Sequence, residues 1–166
     1  MNGEGRKKRK GMSILVFSGD LDKVLAAFVI ANGAAAMEVP VTLFFAFWGI
    51  NALRREERVR LRNKKSLVEK MFGWMMPNGP NRLKLSNMHM GGLGSKLLKR
   101  EMSKKGVLSL PHLIDKAREE GIKMVACTMS MNIMGIREEE LIDGIDYAGV
   151  ASFVDIANES ESTLFV

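Results

Sequence analysis

The side chain best suited to covalent chemistry is Cys127, the one cysteine in 166 residues. It follows an apolar run at 122–126 and precedes a segment of helical character at 129–134. At such a strand-to-helix junction, free backbone N–H groups and the positive end of the helix dipole favour an anion. A thiolate is the nucleophilic form of cysteine, and the hydroxyls of Thr128 and Ser130 can donate to sulfur. The order Cys127-Thr128-Met129-Ser130 has the spacing of a redox CxxC with serine in the second position. Lacking a resolving thiol, a persulfide or mixed disulfide on Cys127 must be resolved by another molecule. That suits a carrier that accepts sulfur and hands it on, not a self-contained dithiol oxidoreductase. The competing reading is a small buried hydrophobe, because free cysteines are among the most buried residues.

Two further clusters sit where chemistry is conceivable. Ser18-Gly19-Asp20 follows an apolar run and precedes an Ala-rich helical stretch. It can cradle an anion through the N–H groups of the following helix, but it lacks the spacing of a dinucleotide fingerprint or a P-loop. An ordinary capped turn explains it equally simply. Asp20 in the same crevice is a candidate for handling a proton. Trp48 and Gly49 follow a second apolar run, where the indole can wall off a crevice or pack at a subunit interface. Thirteen methionines raise the question of soft metals, with Cys127, Met129, Met131 and Met134 as ligands for Cu(I). Methionine more often fills cores and interfaces, and His89 and His112 show no metal spacing. Neither a metal nor another cofactor is expected.

These candidates need elements to hold them. Apolar runs at 12–17, 39–46, 122–126 and 149–154 read as buried strands, with a short closing strand at 163–166. Helices are predicted at 21–37, 66–76, 95–105, 110–120, 129–134 and 138–142, with a turn of helix at 156–160. Ser109 and Pro111 start the helix at 110–120, and Gly121 stops it. Residues 83–94 read as an irregular loop rich in Met and Gly. Alternating strands and helices predict a mostly parallel sheet of about five strands between helical layers. In such sheets ligands sit beyond the carboxyl ends of the strands. There the turns Ser18-Gly19-Asp20, Phe47-Trp48-Gly49 and Cys127-Thr128 converge.

Composition bounds the rest. A chain that is 46% hydrophobic and 27% charged is globular, and its length suits one domain. The net charge of +6 is local. Residues 1–10 carry five bases against Glu4, and residues 54–65 carry seven against Glu56 and Glu57, so the remainder is net acidic. The expected organisation is a basic tail at 1–11 and a single domain at 12–166, with a helical and loop insertion near 52–105. The second basic run reads as a solvated face or arm; without interleaved aromatics it does not predict nucleic-acid binding. A single cysteine forms no internal disulfide, which suits a reducing compartment. A secretory signal is rejected because Asp20, Asp22 and Lys23 break the apolar region. The apolar stretch at 24–50 is long enough to span a bilayer, but Gly33, Glu38 and Pro40 divide it as a buried α/β core would. A cytoplasmic protein is expected.

Several stretches together resemble the DsrE/DsrF/DsrH-like sulfur-relay family, particularly its longer DsrE-like sulfurtransferases. They are SILVFSGDLDKVLAAFVIANGAAAM from Ser13, TLFFAFWGINALR from Thr42, MPNGP from Met76, KMVACTMSMNIMGI from Lys123 and ELIDGIDYAGVASFVD from Glu140. The resemblance covers nearly all of the chain from Met12; the basic extension before it lies outside the pattern. It implies a three-layer α/β/α fold, assembly into homo- or hetero-oligomers, and sulfur carried as a persulfide on a cysteine in the position of Cys127. Ser18, Gly19, Asp20, Trp48, Gly49, Thr128 and Ser130 are then the expected surroundings. Sulfur donor and acceptor proteins are the expected partners, with peripheral contact to a membrane-bound partner through the Met-rich segments. Two other classes compete: an oligomeric scaffold subunit with an inert cysteine, and an anion- or nucleotide-binding module built on Ser18-Gly19-Asp20.

Overall fold

A computed structural model describes residues 10–57, 66–87 and 90–166. Most of the predicted tail, residues 58–65 of the second basic run, and Met88 and His89 lie outside the described residues.

Five parallel strands form one sheet in the order β4-β3-β2-β1-β5. They are β1 (Met12–Val16), β2 (Val41–Phe45), β3 (Lys123–Cys127), β4 (Asp146–Ala148) and β5 (Ser162–Phe165). Registers such as Val16↔Phe45, Phe45↔Ala126 and Cys127↔Ala148 bring the carboxyl ends to one edge. The helices are α1 (Leu21–Ala36), α2 (Leu67–Met75), α3 (Leu93–Lys104), α4 (Leu110–Glu119), α5 (Thr128–Met134) and α6 (Val150–Glu159).

Side chains alternate along each strand, and here they divide between two unequal cores. Ile14, Val16, Leu43, Phe45, Met124 and Ala126 face the larger one. Leu21, Val24, Phe28 and Ala31 of α1 and Leu113, Ile114 and Ala117 of α4 cover that face. Asn32 ties the two helices, its side-chain amide donating to the carbonyls of Phe28 and Leu113. On the other face Phe44, Ala46, Val125 and Cys127 form a small cluster, with Phe153 of α6 against it. The Phe44 and Phe153 rings lie 5.0 Å apart. This completes a three-layer α/β/α arrangement, although α6 buries none of its residues fully.

The predicted fourth strand at 149–154 is incorrect. Those residues, including Gly149 as N-cap, begin α6, which continues through the predicted turn of helix, and the strand is Asp146-Tyr147-Ala148. Val150, Phe153, Val154 and Ala157 recur at helical spacing, which a six-residue apolar run conceals. The true strand is short, polar and on the sheet edge. Two smaller corrections concern 138–142, a 3-10 turn at Glu138–Glu140, and 83–94, where α3 already begins at Leu93. Arg54 also departs from the solvated face. It is buried, bridges to Leu141 through the backbone and pairs with Glu140 at 3.2 Å. Among the described residues no helix is long and apolar enough to cross a membrane.

Candidate functional site

The carboxyl edge of the sheet places the predicted residues as follows. Val16 of β1 hands over to Ser18-Gly19-Asp20, Phe45 of β2 to Trp48-Gly49, and Cys127 closes β3 and caps α5. The first two turns are locked together. The Gly49 N–H donates to the Phe17 carbonyl at 3.0 Å and the Ala46 N–H to Val16 at 3.0 Å. A Cβ on Gly19 would lie 2.8 Å from the Trp48 carbonyl oxygen, and one on Gly49 would run into the Val16 carbonyl. Both glycines are required by close backbone approach. Trp48 is 47% exposed, so its indole does not seal a core.

At Ser18-Gly19-Asp20 the polar groups satisfy one another. The Ser18 hydroxyl donates to Asp20 Oδ2 at 3.1 Å, the Asp20 N–H donates to Ser18 Oγ, and Leu21 N–H is taken by the Lys84 carbonyl at 2.7 Å. Asp20 Oδ2 lies 2.9 Å from Lys23, whose ammonium it holds above its ordinary pKa. The Ser18 hydroxyl and the N–H groups of Asp20 and Leu21 are therefore already engaged within the turn.

Cys127 is 1% exposed. Its side chain belongs to the smaller core, among Phe44, Ala46 and Val125, with Phe47, Ala148 and Phe153 packed against them. Among the described residues the thiol makes no hydrogen bond. Thr128 directs its hydroxyl to the Ala148 carbonyl at 3.4 Å and not to sulfur. Ser130, three residues on, is fully buried, and its hydroxyl has no partner among the described residues. A buried hydroxyl left unpaired is unfavourable by about 1–3 kcal/mol. Met131 and Met134 lie in the larger core, whereas Met129 is exposed. They therefore do not gather with Cys127 as a Cu(I) set. No three His, Cys, Asp or Glu side chains cluster as a metal site requires among the described residues.

The backbone strain at Phe47 escapes a reading by motif. Phe47 has φ 45°, in the left-handed region, where a bulky side chain costs about 1–3 kcal/mol. Its ring packs against the Cys127 cluster and lies 5.2 Å from that of Phe17. Strain of this kind leaves no compositional signal. An apolar residue immediately after a buried strand is the only hint.

The model of the DsrE/DsrF/DrsH-like family matches residues 8–165. The chain is 51% identical over 160 residues to the uncharacterized protein YrkE of Bacillus subtilis (strain 168), covering 96% of this chain and 99% of that one. It is 31% identical over 163 residues to the sulfur carrier protein DsrE2 of Allochromatium vinosum, again covering 96% and 99%. Among solved structures, MTH1491 of Methanobacterium thermoautotrophicum, a protein of unknown function, aligns with TM-score 0.56 at 14% identity over 95% of this chain and 99% of that one. YchN of E. coli aligns with TM-score 0.53 at 8% identity, with the same coverage. These two likenesses concern the fold alone. By its sequence and its sheet, the chain belongs to the DsrE/DsrF/DrsH-like family.

Proposed function

We propose that this protein is a sulfur carrier with Cys127 as the acceptor. The Cys127 thiolate attacks the outer sulfur of a donor persulfide, forming a Cys127 persulfide and releasing the donor thiolate. An acceptor thiolate then attacks that outer sulfur and regenerates the Cys127 thiolate. No electrons are gained or lost overall, and no cofactor is required. The observation that carries this reading is the position of the chain's one cysteine: last residue of β3, N-cap of α5, in a chain 31% identical to a sulfur carrier. The absence of a second cysteine fits relay to another molecule.

Burial of the thiol sets a condition on this reading. Donor and acceptor reach Cys127 only when its cover moves, and that cover is thin: strained Phe47 and Phe153 of the superficial helix α6. Local opening of such an element takes far less free energy than global unfolding. Trp48, Gly49, Ser18, Gly19 and Asp20 then form the rim that a partner meets, with Thr128 and Ser130 beside the sulfur. The exposed side chains of Phe165, Val150 and Val154 suit self-association on the α6 face, and Leu67, Met71, Trp74 and Met75 of α2 suit a membrane-bound partner. A reducing cytoplasm suits the free thiol.

The same burial favours a second reading, an inert cysteine in an assembly subunit. Alkylation by iodoacetamide separates the two. A carrier cysteine reacts in the native chain through opening of its cover, faster than the rate of global unfolding measured in parallel. An inert one reacts only as fast as the protein unfolds, and that result would remove the carrier assignment.

A further inference from the structure

On the opposite face of the sheet from the thiol, a cavity of about 310 Å³ lies between α1, α3 and the start of α4. Its walls are apolar, formed chiefly by Leu21, Leu25, Met102 and Leu108, and Lys99, Ser109 and His112 line it as well. Its volume falls at the lower end of small-ligand sites, about 300–1,000 Å³.

The cation there lacks a direct ion pair among the described residues. Lys99 donates to the Asn81 carbonyl at 2.5 Å and forms no ion pair among the described residues. Burial lowers its pKa, and Glu56, itself held by Asn81, only partly opposes this. The start of α4 adds donors. Ser109 stands at the N-cap position, yet its hydroxyl contacts His112 Nδ1 at 2.6 Å and caps no N–H. Leu113 is the first residue of the helix whose N–H is used inside it. Among the described residues the N–H groups of Leu110 and His112, which line the cavity, have no partner, and a helix start favours negative charge.

We propose that this cavity binds a small amphipathic anion, a medium-chain carboxylate in chemical class. The head group sits between Lys99 and the first turn of α4, and the alkyl chain lies against Leu21, Leu25, Met102 and Leu108. A compact inorganic anion leaves those walls wet, and a neutral apolar molecule leaves Lys99 unbalanced. The site is independent of Cys127.

Titration of the full chain with octanoate, 1-octanol and acetate, followed by methyl NMR, tests the assignment. Octanoate is expected to saturate and to bind about tenfold or more tightly than either analogue, as one charge-assisted contact provides. Its shifts should centre on the methyl groups of Leu25, Met102 and Leu108. Lys99→Met should bind octanol as before and lose the preference for octanoate, whereas Lys99→Arg should keep it. Leu25→Trp, which fills the cavity, should weaken both ligands. The proposal is overturned if wild type does not prefer octanoate, if Lys99→Met retains the preference, or if the shifts centre elsewhere. Should Lys99→Met fail to fold, the wild-type ranking of the three probes and the Leu25→Trp variant decide the matter.

Discussion

Ser130 and Gly49 carry the sharpest expectations at the scale of single residues. The Ser130 hydroxyl is buried without a partner among the described residues, so removing it takes away an unfavourable group. Ser130→Ala should leave stability in urea unchanged or raise it by up to about 1 kcal/mol. If that hydroxyl serves sulfur, the variant should also lose loaded sulfur to water or to a thiol faster than wild type. An unchanged loss rate would assign Ser130 to packing alone. Gly49 is a matter of sterics. A methyl group there meets the Val16 carbonyl, and β1 and β2 cannot separate without breaking their ladder. Gly49→Ala should therefore destabilise the fold by about 2–3 kcal/mol, read as a lower urea midpoint with an unchanged slope. Cys127 was legible in the sequence as a strand-end cysteine; its orientation was not. Whether the last residue of a strand faces the large or the small core depends on register, which composition does not record.

Among the elements, α1 is fixed at its start by contacts with the segment after α2. Asp22 accepts two hydrogen bonds from Ser86, from the N–H at 2.9 Å and from the hydroxyl at 2.6 Å. Partial burial alone would raise the Asp22 pKa, but these bonds outweigh it and hold the carboxyl below its ordinary value of 3.8. A carboxyl that binds its proton more weakly when folded lends stability that is complete above that ordinary value. The contribution is lost as pH falls through the lower folded value. Asp22→Asn should accordingly be less stable than wild type at neutral pH, and the gap should close as pH drops below about 4. A gap independent of pH would show that the charge is not involved. The strands β1, β2 and β3 and the helices α1 and α4 were legible because long apolar runs and stop residues bound them. The β4 and α6 region was not: a three-residue edge strand containing Asp146 buries too little to leave a pattern, and the apolar residues of α6 imitate a strand over six positions. Arg54 misled for a different reason. It opens a basic run but turns inward to Glu140, and a charge's partner 86 positions away cannot be read from local composition.

For the whole molecule, the two faces of the sheet are unequal. One is closed by α1 and α4, and among the described residues the other carries helix α6, with Val150, Val154 and Phe165 exposed nearby. Outer helices of a stable α/β domain ordinarily bury an apolar stripe. Self-association through this face is therefore expected. Light scattering should give a mass above that of one chain, and Val154→Glu should lower it while leaving the fold intact. A wild-type monomer at micromolar concentration would contradict this. Exposed α2, with Trp74 76% exposed, lies apart from that helix in the chain and should not change the mass when Trp74→Ser is introduced. Whether Cys127 holds sulfur is read by intact mass spectrometry after incubation with a low-molecular-weight persulfide. Wild type should gain about 32 Da, one sulfur atom, and lose it again on treatment with dithiothreitol, while Cys127→Ser should gain nothing. Equal gains in the two proteins, or no gain in folded wild type, would remove Cys127 as the sulfur acceptor.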